Sequence, residues 1–600
     1  MNESIEPRKV QSVVKAGFER MKKYQRARAM FIKEAVGQYY AQEYGLTGDC
    51  PVNLIFSAIR AMIPVIVSQN PTNTVETDFL EYKSYAELLS LGLDKVERRC
   101  GIKELIRGWA VQAMFAMGIM KVGIAASGNL IQLGDSRIDP GDIYLALTNF
   151  DDFVIDPMCT NLYESSFMGH KTCVPRQYLL DTNGIDHDLV RELPSADGSK
   201  FDNETVANLS RQRSGVYEME ALQDMVDVVE LWVPEADALV MIPDPYQVTF
   251  DKYLGVSEYY GPASGPYEFL SFTPPVDDNP FPVAPVSLYF DLHRATNRVF
   301  NKELEKAENQ RDMLLYKPSH ADIANDIVEG RDGDSAACDD PNAVKVVSFG
   351  GAQNRNGAEM LSQLQLWFNY MAGNPDQIAG QKSDARSATQ ANILQSNAMI
   401  SVEDAKDILY DSVARLGEKI GWYLHNDPLL NIVLAKREPG QEAEQITLTP
   451  EQRVGGIEDF TFKIKPKSMG KLPPQERAKR ITDFLINITP SIVNTAVLMV
   501  QLGLPFNVQA ALTMAAEELE IGEWMQEVFY DPMFQQKMML RLAMGGGQAE
   551  GAGGGQMSGE GIKQQGGFPG QRPVNTPQQD TNQFAQDGAA EQQSMNQGLY

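Results

Sequence analysis

No GxxxxGK[ST] phosphate loop, HExxH helix, GxSxG elbow or strand-flanked GxGxxG occurs in this 600-residue sequence. The NTPases, zinc proteases, serine hydrolases and dinucleotide enzymes that such patterns mark are therefore not indicated. Cysteine is sparse: Cys50, Cys100, Cys159, Cys173 and Cys338 stand far apart, odd in number and without a CxxC pair. That excludes a disulfide framework or a zinc ribbon and points to thiols in a reducing cytosol. The five histidines (His170, His187, His293, His320, His425) are scattered, none near a Cys or Ser at a suggestive spacing. No uninterrupted apolar run reaches the about 20 residues a membrane span needs. The closest window, 109–126, is broken by Gln112 and Lys121 and reads as a buried helix followed by a strand. Residues 1–9 lack an apolar h-region, so no secretory signal is expected. Positive charge is scarce as well: 53 basic against 80 acidic residues leave a net charge of −27. That balance disfavours wrapping of nucleic acid, whose phosphates require clustered Lys and Arg. It suits DNA that passes without sticking, because an acidic wall repels a polyanion.

Apolar residues make up 43% of the chain, ample for sizeable cores. Residues 10–44 carry a helical pattern made locally basic by Arg8, Lys9, Lys15, Arg20, Lys22, Lys23, Arg26, Arg28 and Lys33, a side best read as solvated. A second helix over 53–69 ends at Asn70-Pro71, and two more are expected at 86–100 and 102–117. Short strands follow at 121–125 and 150–156, then a turn-linked antiparallel pair at 227–233 and 238–243, and a strand at 267–273. Asp151, Asp152 and Asp156 are the densest early carboxylates; with no further ligand at a recognisable spacing, they are assigned turn and capping roles and no metal site is expected. Residues 181–215 are polar and read as a loop.

The chain is organised around 272–427. A proline-studded run to Pro285 leads into a charge-rich helix ending near Arg311, whose stripe is Leu288, Leu292, Ala295, Val299, Leu304 and Ala307. A narrow stripe flanked by charges of both signs suits a helix packed beside copies of itself. An acidic insertion follows, with strand-like runs at 313–317 and 343–349. Between Lys317 and Pro341 stand Asp322, Asp326, Glu329, Asp332, Asp334, Asp339 and Asp340 against Lys317 and Arg331. The run from Asp332 lacks the glycine and closing Glu of a calcium loop; a solvated acidic tip or a docking surface for a basic partner remain as its readings. A helix at 358–372, a polar loop at 373–386 and a helix of about forty residues from Ser387 come next, the last repeating Val402, Ala405, Leu409, Val413, Leu416 and Ile420. His425, near its C-terminus, would favour the helix dipole when protonated. A strand at 459–466, a helix started by Pro474, and helices near 492–502 and 508–529 complete the ordered region. Residues 545–600 are a Gly/Gln-rich tail too poor in aliphatics to fold. The fold class is α+β and helix-rich.

The order of these pieces resembles the portal, or head-to-tail connector, proteins of tailed bacteriophages, over roughly residues 50–535. The likeness is carried by Asp151-Asp-Phe-Val-Ile-Asp-Pro, by Val229-Glu-Leu-Trp followed by Gly265-Pro-Tyr-Glu-Phe-Leu-Ser-Phe-Thr-Pro, and by the proline run into a helix bearing Asn297-Arg298. Ala385-Arg-Ser-Ala-Thr-Gln-Ala and Lys465-Pro-Lys-Ser-Met-Gly-Lys-Leu-Pro-Pro-Gln-Glu-Arg complete it. The resemblance implies a wing formed by the N-terminal helices and β-containing region (1–285) together with the long helix and its return (387–489). It further implies stem helices at 286–311 and 358–372, a clip at 312–357, a tunnel loop at 373–386 and crown-like helices at 490–544. This chain has Gln390 where many relatives carry an acid, and no long regular C-terminal helix, so a short crown is implied.

By the same resemblance, about twelve copies form a ring around a DNA channel at one capsid vertex of the virion. The ring is assembled in the host cytoplasm with major capsid and scaffolding proteins, docks the terminase large subunit for packaging, and later binds tail adaptor proteins. No enzyme activity, cofactor, metal or membrane partner is implied, since ATP hydrolysis belongs to the motor. Gln381, Lys382 and Arg386 are expected to approach double-stranded DNA, and Asp332, Asp334, Asp339 and Asp340 to form the clip docking surface. The alternatives are another virion ring or tail-tube connector, or a nucleic-acid-processing enzyme built from dispersed carboxylates.

Overall fold

Proline at the first position of α1 (Pro7–Val36) costs nothing, because that N–H has no helical partner. Most of the basic side of this helix is solvated as expected, with Arg8, Lys9, Lys15, Lys23, Arg26 and Lys33 exposed, but Arg20 and Arg28 are engaged. Arg20 donates to the carbonyls of Asp156, Pro157 and Cys159 at 3.3, 2.8 and 2.8 Å, and Arg28, 7% exposed, pairs with Asp151 at 2.9 Å. A buried carboxylate and a row of strand-end carbonyls gave these cations better partners than water. Asn53 caps α2 (Leu54–Ile66), accepting from the Phe56 N–H. The next two helices, α3 (Lys83–Arg99) and α4 (Ile102–Phe115), turn at Gly101, whose φ of 67° favours glycine.

The computed structural model describes residues 6–37, 52–128, 131–133, 136–195, 224–308, 311–331, 340, 344–349, 354–378, 388–429, 431–436, 444–465, 474–501 and 508–519. Strands β1 (Asn73–Glu76), β2 (Gly118–Ala125), β3 (Asp142–Thr148), β4 (Phe153–Ile155), β5 (Met168–Pro175), β6 (Met225–Val233), β7 (Ala238–Pro243), β8 (Gly255–Glu258) and β9 (Tyr267–Leu270) precede the central helices. A five-stranded sheet has the order β8-β7-β6-β5-β4, and a three-stranded sheet the order β9-β2-β3, all antiparallel. The expected pairing of 227–233 with 238–243 is present as β6–β7. The strand expected at 267–273 is shorter and joins the other sheet, beside β2, because both edges of β6 and of β7 are already occupied. Within the expected 181–215 loop, His187–Glu192 is helical; residues 196–215 lie outside the described residues.

The central stretch continues as α5 (Pro285–Glu308), β10 (Arg311–Tyr316), α6 (Ala321–Glu329), β11 (Val344–Phe349), α7 (Asn354–Met371) and α8 (Ala388–Asn426). The first of these helices ends before Arg311, which instead opens β10; α7 begins four residues earlier than its apolar pattern suggests. The strand β12 (Thr461–Ile464) pairs with β1, a partner strand the sequence pattern does not reveal. Val402, Leu409, Val413, Leu416 and Ile420 of α8 are fully buried in one core with Leu89 and Leu93 of α3 and Ile106 and Trp109 of α4. Toward the C-terminus, helix Pro474–Asp483 runs through a π turn at Phe484–Ile488 into Thr489–Gln501. Pro490 would ordinarily break a helix. The chain instead widens by one residue, and the Thr489 hydroxyl donates to the Phe484 carbonyl at 3.0 Å.

Candidate functional site

Two helices joined through a small module dominate the central stretch. Tyr289 of α5 meets Phe368 of α7 edge to face, with ring centroids 5.1 Å apart. Near the other end, Gly357 lies so close to the Glu303 carboxylate that a Cβ would overlap it. Residue 289 thus faces 368 and 303 faces 357, so the helices are antiparallel. Their connection is the β10–β11 hairpin, in register from Arg311↔Phe349 to Tyr316↔Val344, with α6 between the strands.

Within the chain α5 buries a face other than its aliphatic stripe, whose expected neighbours are copies of itself. Val286, Tyr289, Phe290, His293, Thr296 and Asn297 are buried, while Leu288 remains about half exposed. At 100° per residue Leu288, Leu292, Ala295 and Val299 lie to the side of that face, and Leu292 is partly buried against the core. His293 and Asn297 are acceptable in the core because they are partnered: the Asn297 side chain accepts from the Val52 N–H at 2.9 Å and donates to the Val52 carbonyl at 3.0 Å, and His293 lies 3.7 Å from Glu34. On α7, Leu364 and Phe368 are buried, whereas Leu366 (62% exposed), Trp367 (46%) and Tyr370 (77%) share the outer side. On α6, Ile327 and Val328 are exposed too.

Gln381, Lys382 and Arg386 lie outside the described residues, as do Asp332, Asp334 and Asp339. Asp340 is described, and its carboxylate is 3.1 Å from Lys317 Nζ at the exposed base of the module. The early aspartates are engaged locally. Asp151 pairs with Arg28, Asp152 accepts from Asn149 at 3.1 Å, and Asp156 accepts from the Met158 N–H at 2.8 Å. Among the described residues no three His, Cys, Asp or Glu side chains converge as metal ligands, and no helix is long and apolar enough to cross a membrane.

Two polar anchors were missed in the sequence: the first fixes α8, and the second ties β1 to α3; of the loop expected at 373–386, Pro375–Ile378 is instead a helical turn. In the first, buried Glu268 on β9 accepts from Arg415 Nε at 2.7 Å and lies 3.7 Å from Lys419 Nζ. Lys419, also buried, donates to the Ser264 carbonyl, the Ser264 hydroxyl and the Gly265 carbonyl at 3.1, 2.8 and 2.9 Å; burial lowers its pKa, opposed by Glu268. In the second, Asn73 at the start of β1 donates to Glu97 Oε2 at 2.8 Å and to Asp94 Oδ1 at 3.0 Å. Burial pushes Glu97 up to about 8, with Asp94 adding to the shift. Only the positions of single charged residues within apolar repeats hinted at either anchor. His425 does not serve the helix dipole as expected: burial and nearby Arg453 lower its pKa, and its Nδ1 pairs with the Tyr85 hydroxyl at 2.9 Å.

No protein-family model matches this chain, and no curated protein matches it.

Proposed function

We propose that the chain is a portal subunit: a structural ring-former that lines the DNA channel at one capsid vertex, docks the terminase large subunit during packaging and the tail adaptor proteins afterwards. The observation that supports this reading most is the central stretch. Two antiparallel helices bracket a hairpin-and-helix module, one long, firmly anchored helix follows, and the outer side of α7 keeps Leu366, Trp367 and Tyr370 in water. Single exposed apolar residues are ordinary, but three on one side of one helix mark a surface that expects a partner. Covering each would contribute up to about 1.5–3 kcal/mol, and the mixed charges of Asp291, Arg294, Arg298 and Lys302 on α5 suit a neighbouring copy presenting the opposite signs. The net charge of −27 suits a channel that lets DNA slide. In this reading the module between the stem helices, with Asp332, Asp334, Asp339 and Asp340, is the clip, and Gln381, Lys382 and Arg386 are the side chains nearest the DNA.

The double variant Trp367→Glu/Tyr370→Glu tests the role of that surface. Both side chains are exposed in the single chain, so its fold and far-UV circular dichroism should be unchanged. Sedimentation velocity is expected to show the large ring of the parent chain replaced by much smaller species. A variant that forms the parental ring would show that copies do not meet through this surface.

A further inference from the structure

We infer that the gap between the two sheets is a docking groove for an extended, basic segment of a partner protein, which adds as a strand to the open edge of β2. Such a groove does not depend on the portal reading. A cavity of about 650 Å³ lies between β2 of the three-stranded sheet and β7–β8 of the five-stranded sheet, within the about 300–1,000 Å³ typical of binding pockets. Its walls include backbone with no strand beside it among the described residues.

The reason lies in one proline. β9 pairs with β2 only from Gly118 to Lys121, and the last contact beyond that is Val122 N–H to the Pro266 carbonyl at 2.8 Å. Pro266 has no N–H to return to the Val122 carbonyl, so the ladder stops there. By strand alternation, Ile124 then turns its N–H and C=O toward the same side, while Lys121, Gly123 and Ala125 serve the β3 ladder. Across the gap, β8 is the edge strand of its sheet among the described residues, paired there only with β7 apart from one bridge between Gly255 and Ile185. Open strand edges of this kind are templates for an added strand.

The side chains identify the occupant. Lys121 and Glu230 neutralise each other at 2.7 Å on the groove floor, which leaves Glu258, exposed and without an ion pair among the described residues, as the uncompensated charge on the lining. Tyr178 and Tyr260 stand exposed at the rim, where phenol faces favour cations. A second copy of this chain is a poor fit, since its densest basic run belongs to the helix α1, so a separate partner with an extended Lys- or Arg-bearing segment is favoured.

The test uses the full chain and three fluorescein-labelled heptapeptides, read by fluorescence anisotropy. The first alternates Lys and Val around one central Tyr, the second replaces Lys by Glu, and the third keeps Lys but carries Pro at two alternate positions. Saturable binding of the first below about 1 mM, with the second and third at least severalfold weaker, is expected. Glu258→Lys, an exposed change that leaves folding intact, should weaken the first peptide about two- to fivefold, the worth of an exposed ion pair. Ile124→Pro, which removes an N–H on the open side only, should abolish binding with unchanged circular dichroism. Equal binding of the acidic or proline-bearing peptide, full binding to Glu258→Lys, or no binding of any peptide overturns the inference.

Discussion

Glu268→Ala is expected to cost the folded chain about 3–5 kcal/mol, the range seen when one partner of a buried ion pair is removed. The loss comes from Lys419 and not from Arg415. Arg415 is half exposed and can return to water, but the Lys419 side chain is 3% exposed and would keep its ammonium buried beside backbone carbonyls with no counter-charge. Glu268→Gln, which retains an acceptor, should lose less. Glu268→Leu/Lys419→Met should recover at least half of the alanine loss, because an apolar pair avoids the desolvation cost altogether. Urea unfolding of the three variants at one protein concentration reads these differences. An alanine variant as stable as the parent would show that β9 holds α8 by packing alone.

The second large effect concerns pH. Glu97 carries a folded pKa of about 8 against its ordinary 4.5, because it is buried, and Asn73 is its hydrogen-bond donor. The folded chain therefore keeps a proton that the unfolded chain loses above pH 4.5. Stability is fully present below that value and falls as pH rises toward 8, by about 1.4 kcal/mol per unit, or roughly 3 kcal/mol by pH 7. Glu97→Gln keeps the shape and the acceptor for Asn73 without the titration. It should raise the urea midpoint at pH 7.5, and the difference between parent and variant should shrink toward zero at pH 5. A difference that is constant between pH 5 and pH 8 would mean that Glu97 does not hold this proton.

The helices and the long strand pair were legible because period and punctuation agree there: the 3–4 spacing of Val402 to Ile420 specifies a buried face, and β6 and β7 are short β-rich runs with a turn between. The helix α5 was legible as a helix, but the face it turns to the core was not. That face carries Tyr289, Phe290, His293 and Asn297, since aromatic residues bury more area and the two polar ones find partners on α1 and at Val52, contacts far off in sequence. Short β1 left no signal of its own, because its pairing partner β12 lies nearly 400 residues away. The α6 helix was hidden by the acids around it, which read as a solvated tip. At Arg20 and Arg28 composition misled in the opposite sense, because a basic helix need not be a solvated one when strand-end carbonyls and Asp151 wait on the other side.

Assembly is the property that a portal subunit must have and a solitary enzyme need not. Electron microscopy of the purified full-length chain, with its mass measured by light scattering, should show a ring with a central hole of about twelve subunits, close to twelve times 66.6 kDa. A monodisperse monomer of 66.6 kDa across the concentrations tested would contradict the portal reading.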